Sequence, residues 1–324
     1  MKKLIAILLL LALSLTLLCA CKEDTSPNSD ANQPNADTNQ TDTDNTNNDT
    51  TPAEPESAVS DFEYETNAAG GITIKKYKGS EANVEIPEKI NGKNVTKIAD
   101  SAFSYANIAS VYIPDTVLSI GENAFYKCLL LNEVKLSNTL NSLGRNAFAC
   151  CSKLTQITLP ASLTEISEQA FMESGISSVT FQEGIKIIGA FAFYGTALIS
   201  IDIPSSVHTV KGFAFGDCFH LESITLHDGL VTVEEAAFGG RGATTPCNKV
   251  REIIIPKTVT NITRDAFLGD TLLTSVKFEG NAPAAYQTDT ARDEYVKENY
   301  TVYYHQGATG FTSPTWCGYP TAIW

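Results

Sequence analysis

Histidines, thiols and paired carboxylates are where chemistry would start in this chain, and their spacing offers little. The histidines are His208, His220, His227 and His305. None sits in the His-Glu-x-x-His spacing that aims two imidazoles at zinc from one helix face, and no cysteines are spaced Cys-x-x-Cys. No glycine loop is built to cradle phosphate, and no Gly-x-Ser-x-Gly elbow raises a nucleophile. His227 and Asp228 are neighbours in sequence, but adjacency alone does not aim a carboxylate at an imidazole. Cys128, Cys151 and Cys218 each follow a phenylalanine by three residues, in a slot that Ser174 and Thr196 fill elsewhere. A slot shared by Cys, Ser and Thr holds a small buried filler, not a metal ligand. A disulfide between Cys128 and Cys151 stays open, and Cys150, Cys247 and Cys317 are unassigned. The expectation is a protein with no catalytic residues, no metal and no cofactor, whose chemistry is recognition.

The slots exist because the chain repeats. Ala-Phe pairs end at Phe103, Phe125, Phe148, Phe171, Phe193, Phe215, Phe238 and Phe267, with spacings of 22, 23, 23, 22, 22, 23 and 29 residues. A fixed period in this range marks a solenoid, in which no unit can bury its apolar face alone. In the unit from Val111 to Leu131, Val111 and Ile113 flank Tyr112, so both aliphatics point inward and Tyr112 points out. Pro114 ends the strand because it cannot donate to a ladder. Val117 and Ile120 return to the core, Gly121 turns the chain, and Ala124-Phe125 sits in a segment long enough for one helical turn. The fold expected is a β-rich α/β solenoid of about eight 22–23-residue repeats over 84–278. A cap at 61–83 contains a hairpin of Phe62–Glu65 and Ile72–Tyr77. A cap at 279–324 includes a turn of helix at Asp293–Lys297, a strand at Thr301–Tyr304 and an aromatic closing segment.

This placement defines an outward row, one residue per strand: Glu85, Tyr112, Lys135, Thr158, Thr180, Asp202, Thr225, Ile254 and Lys277. Tyr112, Lys135, Thr158, Thr180, Asp202 and Thr225 are the candidate ligand-binding residues, with Tyr112 as the anchor because tyrosine is favoured at binding hot spots. A second candidate is the insertion that lengthens the spacing after Phe238. It brings Arg241, Lys249 and Arg251 together on an acidic protein, and insertions in solenoids map to surface loops.

The repeat, Leu-x-x-Val-x-Ile/Leu-Pro followed by Val-x-x-Ile-Gly-x-x-Ala-Phe, resembles the bacterial BspA-type leucine-rich repeats. The resemblance implies a leucine-rich-repeat superhelix with one strand per coil, in a family of bacterial surface proteins that includes adhesins. The chain departs from standard leucine-rich repeats in having proline where they place asparagine, so it lacks their asparagine ladder.

The ends of the chain concern location. Lys2-Lys3 precedes an apolar run from Leu4 to Leu18, which makes 1–20 a signal peptide too short to span a membrane. Leu18-Cys19-Ala20-Cys21 resembles a lipobox, which implies cleavage before Cys21 and membrane attachment through lipid on its sulfur. Residues 21–60 form an acidic Asn/Asp/Thr-rich tether with nine carboxylates against Lys22. A chain so poor in apolar surface stays disordered, and as a coil it spans roughly 31–37 Å. The net charge of −14 excludes a general nucleic-acid binder, which needs a basic footprint. The expected protein is extracellular and lipid-anchored, with a protein or glycan partner at the cell surface. The alternatives are a structural envelope component without a dedicated ligand, and homophilic contact.

Overall fold

The computed structural model describes residues 59–240, 248–267, 269–283 and 300–324. The expected signal peptide, Cys21, nearly all of the tether, Arg241, Cys247 and the expected helical turn at Asp293–Lys297 lie outside the described residues. Ser57–Trp324 is a single unit.

Each rung crosses three rows. The first row is the longer strand. Asn83–Glu85, Ser110–Tyr112 and Glu133–Lys135 form one parallel sheet, and Gln156–Leu159 pairs with Ser178–Phe181 in a second. Ser200–Ile203 pairs with Ser223–Leu226 in a third. Glu252–Ile255, Ser275–Phe278, Thr301–Tyr304 and Tyr319–Ile323 run parallel in a fourth, closed by antiparallel Thr315–Trp316. Period-two alternation puts Ile157 and Leu159 in the core and leaves Thr158 exposed, and the other rungs repeat the pattern. The strand ladder thus continues past the last repeat. Val302 and Tyr304 flank Tyr303 as Val111 and Ile113 flank Tyr112, so the closing segment adds strands in register.

The second row is a strand of two residues whose second member is buried, as in Ser119–Ile120, Ser142–Leu143 and Glu165–Ile166. At the N-terminal end this row meets the antiparallel hairpin of Phe62–Thr66 and Ile72–Tyr77 through Lys93–Ile98.

The third row holds Ala-Phe, and it is not a helical turn. The residues two before and two after the phenylalanine are left-handed: Asn123 and Lys127 around Phe125, Asn146 and Cys150 around Phe148, Gln169 and Glu173 around Phe171. A helix needs right-handed angles throughout, so the segment folds as consecutive turns. Among the described residues only Arg264–Phe267 closes a 3-10 helix. The turns leave the backbone free to pair between rungs. Phe103 N–H donates to Ala124 C=O and Phe125 N–H to Ala147 C=O, each at 2.8 Å. The series runs unbroken through Phe238 N–H to Ala266 C=O at 3.1 Å. The strand row is divided into separate sheets; this row is not.

The phenylalanine rings are buried and stacked. Tyr77, Phe103, Phe125 and Phe148 follow one another at centroid separations of 5.3, 4.8 and 4.9 Å, and the column continues to Phe267. Tyr300 meets Phe267 edge-on at 6.4 Å and stacks on Tyr319 at 4.3 Å, so the closing aromatics extend the core and cover it. Tyr300, Trp316 and Tyr319 are buried accordingly.

Where an asparagine ladder is missing, a hydroxyl row replaces it. Two residues after the proline slot, Thr139 Oγ1 donates to Asp115 C=O at 2.6 Å and Ser162 Oγ to Leu140 C=O at 2.6 Å. Ser206 Oγ accepts from Gly184 N–H at 3.0 Å and donates to Ile185 C=O at 2.8 Å. Thr258 Oγ1 does the same between Gly229 N–H and Leu230 C=O. The glycines in this slot are required. Both have positive φ, and a Cβ would meet Ala161 O at 2.2 Å from Gly184 and Ser205 O at 2.0 Å from Gly229.

Candidate binding face

The outward row is laid down by strand register. Glu85 pairs with Tyr112 and Tyr112 with Lys135; Thr158 pairs with Thr180 and Asp202 with Thr225. Ile254 pairs with Lys277, Lys277 with Tyr303 and Tyr303 with Ala322. All six strand-row candidates are therefore on one face and exposed. Lys135 Nζ lies 4.6 Å from the centroid of the Tyr112 ring, a cation–π contact that holds both side chains in place.

Arg251 is exposed and sits just ahead of the strand Glu252–Ile255, at the border of the same face. The basic cluster around it is partly neutralised, since Lys249 Nζ pairs with Glu222 at 3.1 Å. Arg241, its expected companion, lies outside the described residues.

Two features of this face are absent from the sequence reading. Asp202 accepts from His227 Nε2 at 2.7 Å, across one rung, whereas the sequence neighbour Asp228 pairs with Lys257 at 2.9 Å. Slot alignment was the available signal: Asp202 and His227 occupy successive outward positions of adjacent coils. At the far end Trp324 stacks on His305 at 4.6 Å and lies under Lys277 Nζ at 5.0 Å. The alternation of Val302 and Tyr304 around Tyr303 was the clue to that extension.

The thiols behave as fillers. Cys128, Cys151 and Cys218 are buried, and each Sγ donates to a phenylalanine carbonyl of the preceding rung at 3.1 to 3.3 Å. Burial pushes the Cys128 and Cys218 thiols up to about 12, far from the thiolate that reacts or binds metal. Cys128 and Cys218 are free thiols. Among the described residues no three His, Cys, Asp or Glu side chains converge as metal ligands.

Stacked rungs, a ring-filled core and a row of exposed side chains in strand register define a solenoid repeat protein. The chain belongs to the family described as the BspA type leucine rich repeat region, which matches residues 96–211 and 164–285 in six copies. Among solved structures it is similar to a leucine-rich repeat protein from Bacteroides ovatus. The identity is 23%, over 75% of this chain and 70% of that one, with a TM-score of 0.50. It is also similar to a leucine rich cell surface protein from Faecalibacterium prausnitzii, at 25% identity over 67% of this chain and 86% of that one, TM-score 0.44. A T. pallidum leucine rich repeat protein matches at 21% identity over 56% of this chain and 84% of that one, TM-score 0.42. No curated protein matches the chain.

Proposed function

We propose that the protein is a lipid-anchored bacterial surface protein that binds other proteins through the outward row of its strand face. The observation that carries the reading is the row itself: exposed side chains of successive strands, with Tyr112 and Lys135 pre-positioned against each other. A rigid array lets many modest contacts add without a large ordering cost. The threonines supply hydrogen bonding between that anchor and Asp202. The lipobox-like Leu18-Cys19-Ala20-Cys21 supports the surface location.

Intact cells test both halves. Cells carrying the Cys21→Ser chain are expected to release or fail to process it. Cells carrying Tyr112→Ala/Lys135→Ala are expected to display the protein and lose at least tenfold in capture of matrix and cell-surface proteins. Loss in Arg241→Ala/Arg251→Ala cells alone, steepening with salt, moves the site to the insertion. The Lys277, His305 and Trp324 group favours a glycan reading as second choice, because a ring with an adjacent cation suits a sugar face. Capture of glycans that depends on Trp324 would support it.

A further inference from the structure

We propose that the strand face also binds a second copy of this chain, as a two-fold dimer in which the two stacks run in opposite order. The inference rests on the reading that the outward row is the working face, and it names one partner for it. In stacking order the row runs Glu85, Tyr112, Lys135, Thr158, Thr180, Asp202, Thr225, Ile254. A two-fold axis along the strand direction, passing between Thr158 and Thr180, reverses this order in the partner. Lys135 then faces the partner's Asp202, and the same ion pair recurs on the other side of the axis. Thr158 meets the partner's Thr180, Tyr112 the partner's Thr225, and Glu85 the partner's Ile254. In the neighbouring outward row Glu133 meets the partner's Ser200 and Gln156 the partner's Ser178. No like charges oppose one another. An isologous contact demands this self-complementarity, because residue i must suit j while j suits i.

The backbone has the same symmetry. The pair Gln156–Leu159 and Ser178–Phe181 forms a sheet of its own, with a break in the strand ladder on each side. Beyond one break lie Ser110–Tyr112 and Glu133–Lys135, paired; beyond the other lie Ser200–Ile203 and Ser223–Leu226, paired. The axis passes through the middle of these six strands, so within them paired strands face paired strands; one step farther out, the break between Ser223–Leu226 and Glu252–Ile255 faces the paired Asn83–Glu85 and Ser110–Tyr112. Other registers do worse. Moving the axis half a rung toward the N-terminus sets Asp202 against Tyr112 and Lys135 against Thr180, without an ion pair. Moving it half a rung the other way sets Glu85 against Lys277, which already holds Glu252 at 2.9 Å, and puts breaks opposite paired strands.

Both charged groups have capacity left. His227 takes Oδ1 of Asp202, and a carboxylate has a second oxygen to offer. Lys135 lies over the Tyr112 ring and its charge also acts on the Asp115 carboxylate, but among the described residues no ion pair takes its ammonium, which has three donors. Three outward rows across and eight rungs along cover about 15 by 35 Å, or roughly 500 Å² per copy. About 1,000 Å² in total is the lower bound of specific interfaces, so association is weak and concentration-dependent.

Sedimentation velocity on the full chain over a concentration series tests the dimer. The unmodified chain is expected to associate reversibly and less tightly as salt rises. Lys135→Asp and Asp202→Lys are each expected to weaken association at least tenfold while leaving the thermal midpoint in place. An equimolar mixture of the two single variants is expected to associate again, because the heterodimer restores both ion pairs with the signs exchanged. An unmodified chain that is monomeric throughout overturns the proposal, as do single variants that associate undiminished. Failure of the mixture to recover overturns the register. None of these results touches capture of other surface proteins, which the cell assay reads separately.

Discussion

At the scale of single residues, Glu173 is an informative side chain. It is half-buried on the turn row, with Cys150 Sγ 4.0 Å from its Oε2. Burial raises its carboxyl above the usual range, and Lys127, in the same slot two rungs earlier, opposes the rise. A raised carboxyl binds its proton more tightly folded than unfolded. Stability therefore falls as pH climbs from the ordinary carboxylate pKa, about 4.3, through the raised value, and the loss is complete above it. Glu173→Gln removes the titration. Its thermal midpoint is expected to match the parent near pH 4 and exceed it by a margin that grows toward pH 7. A constant difference across that range would assign the effect to packing instead. Lys127, Cys150 and Glu173 each follow a repeat phenylalanine by two residues, a slot the sequence reading did not align, leaving Cys150 unassigned. Their burial was not legible, because a slot fixes which rung a residue is on but not how the turn tilts its side chain.

At the scale of the element, the hydroxyl row shows what a repeat pattern hides. The proline slot was visible from spacing, and so was the absence of an asparagine ladder. The replacement was not, because Ser162, Gly184, Ser206, Gly229 and Thr258 alternate between residues that give a hydroxyl and residues that receive one. Ser206→Ala strands a glycine N–H and an isoleucine carbonyl together and is expected to cost about 1–3 kcal/mol. Ser205→Ala next to it removes only an exposed contact to Glu183 and is expected to stay within about 0.5 kcal/mol. Urea midpoints of the two variants check this; equal shifts would mean the row carries no special strength. The Ala-Phe segment was misjudged as a helical turn for a related reason. Asn123 and Asn146 suit left-handed angles, but Phe191 and Phe213, at the corresponding positions, disguise them. Those rings stack at 5.0 Å, which helps to offset the backbone cost.

At the scale of the whole molecule, stability resides in contacts between neighbouring rungs. Phe148→Ala removes a fully buried ring that stacks on Phe125 and Phe171, and is expected to cost about 3–5 kcal/mol. Phe267→Ala is expected to cost less, because one of its two ring neighbours is only an edge contact. Calorimetry on both variants tests the ordering. The period, the core and the outward row could all be read from the chain, since each is a matter of spacing. The strand at Thr301–Tyr304 was legible from its alternation, whereas the continuation through Ala322 was not, because Tyr319–Ile323 lacks two aliphatics around its outward residue. The turn row has one more consequence. Parallel strands donate in both directions along a stack, so their peptide dipoles largely cancel. From Ser101 to Phe238, the inter-rung bonds of each phenylalanine and of the residues two before and two after it donate toward the following rung. Those dipoles of roughly 3.5 D apiece add. The stack thus has an electrical polarity along its axis, negative toward Tyr77 and positive toward Ala266, and a repeat can be inserted or deleted in one orientation only.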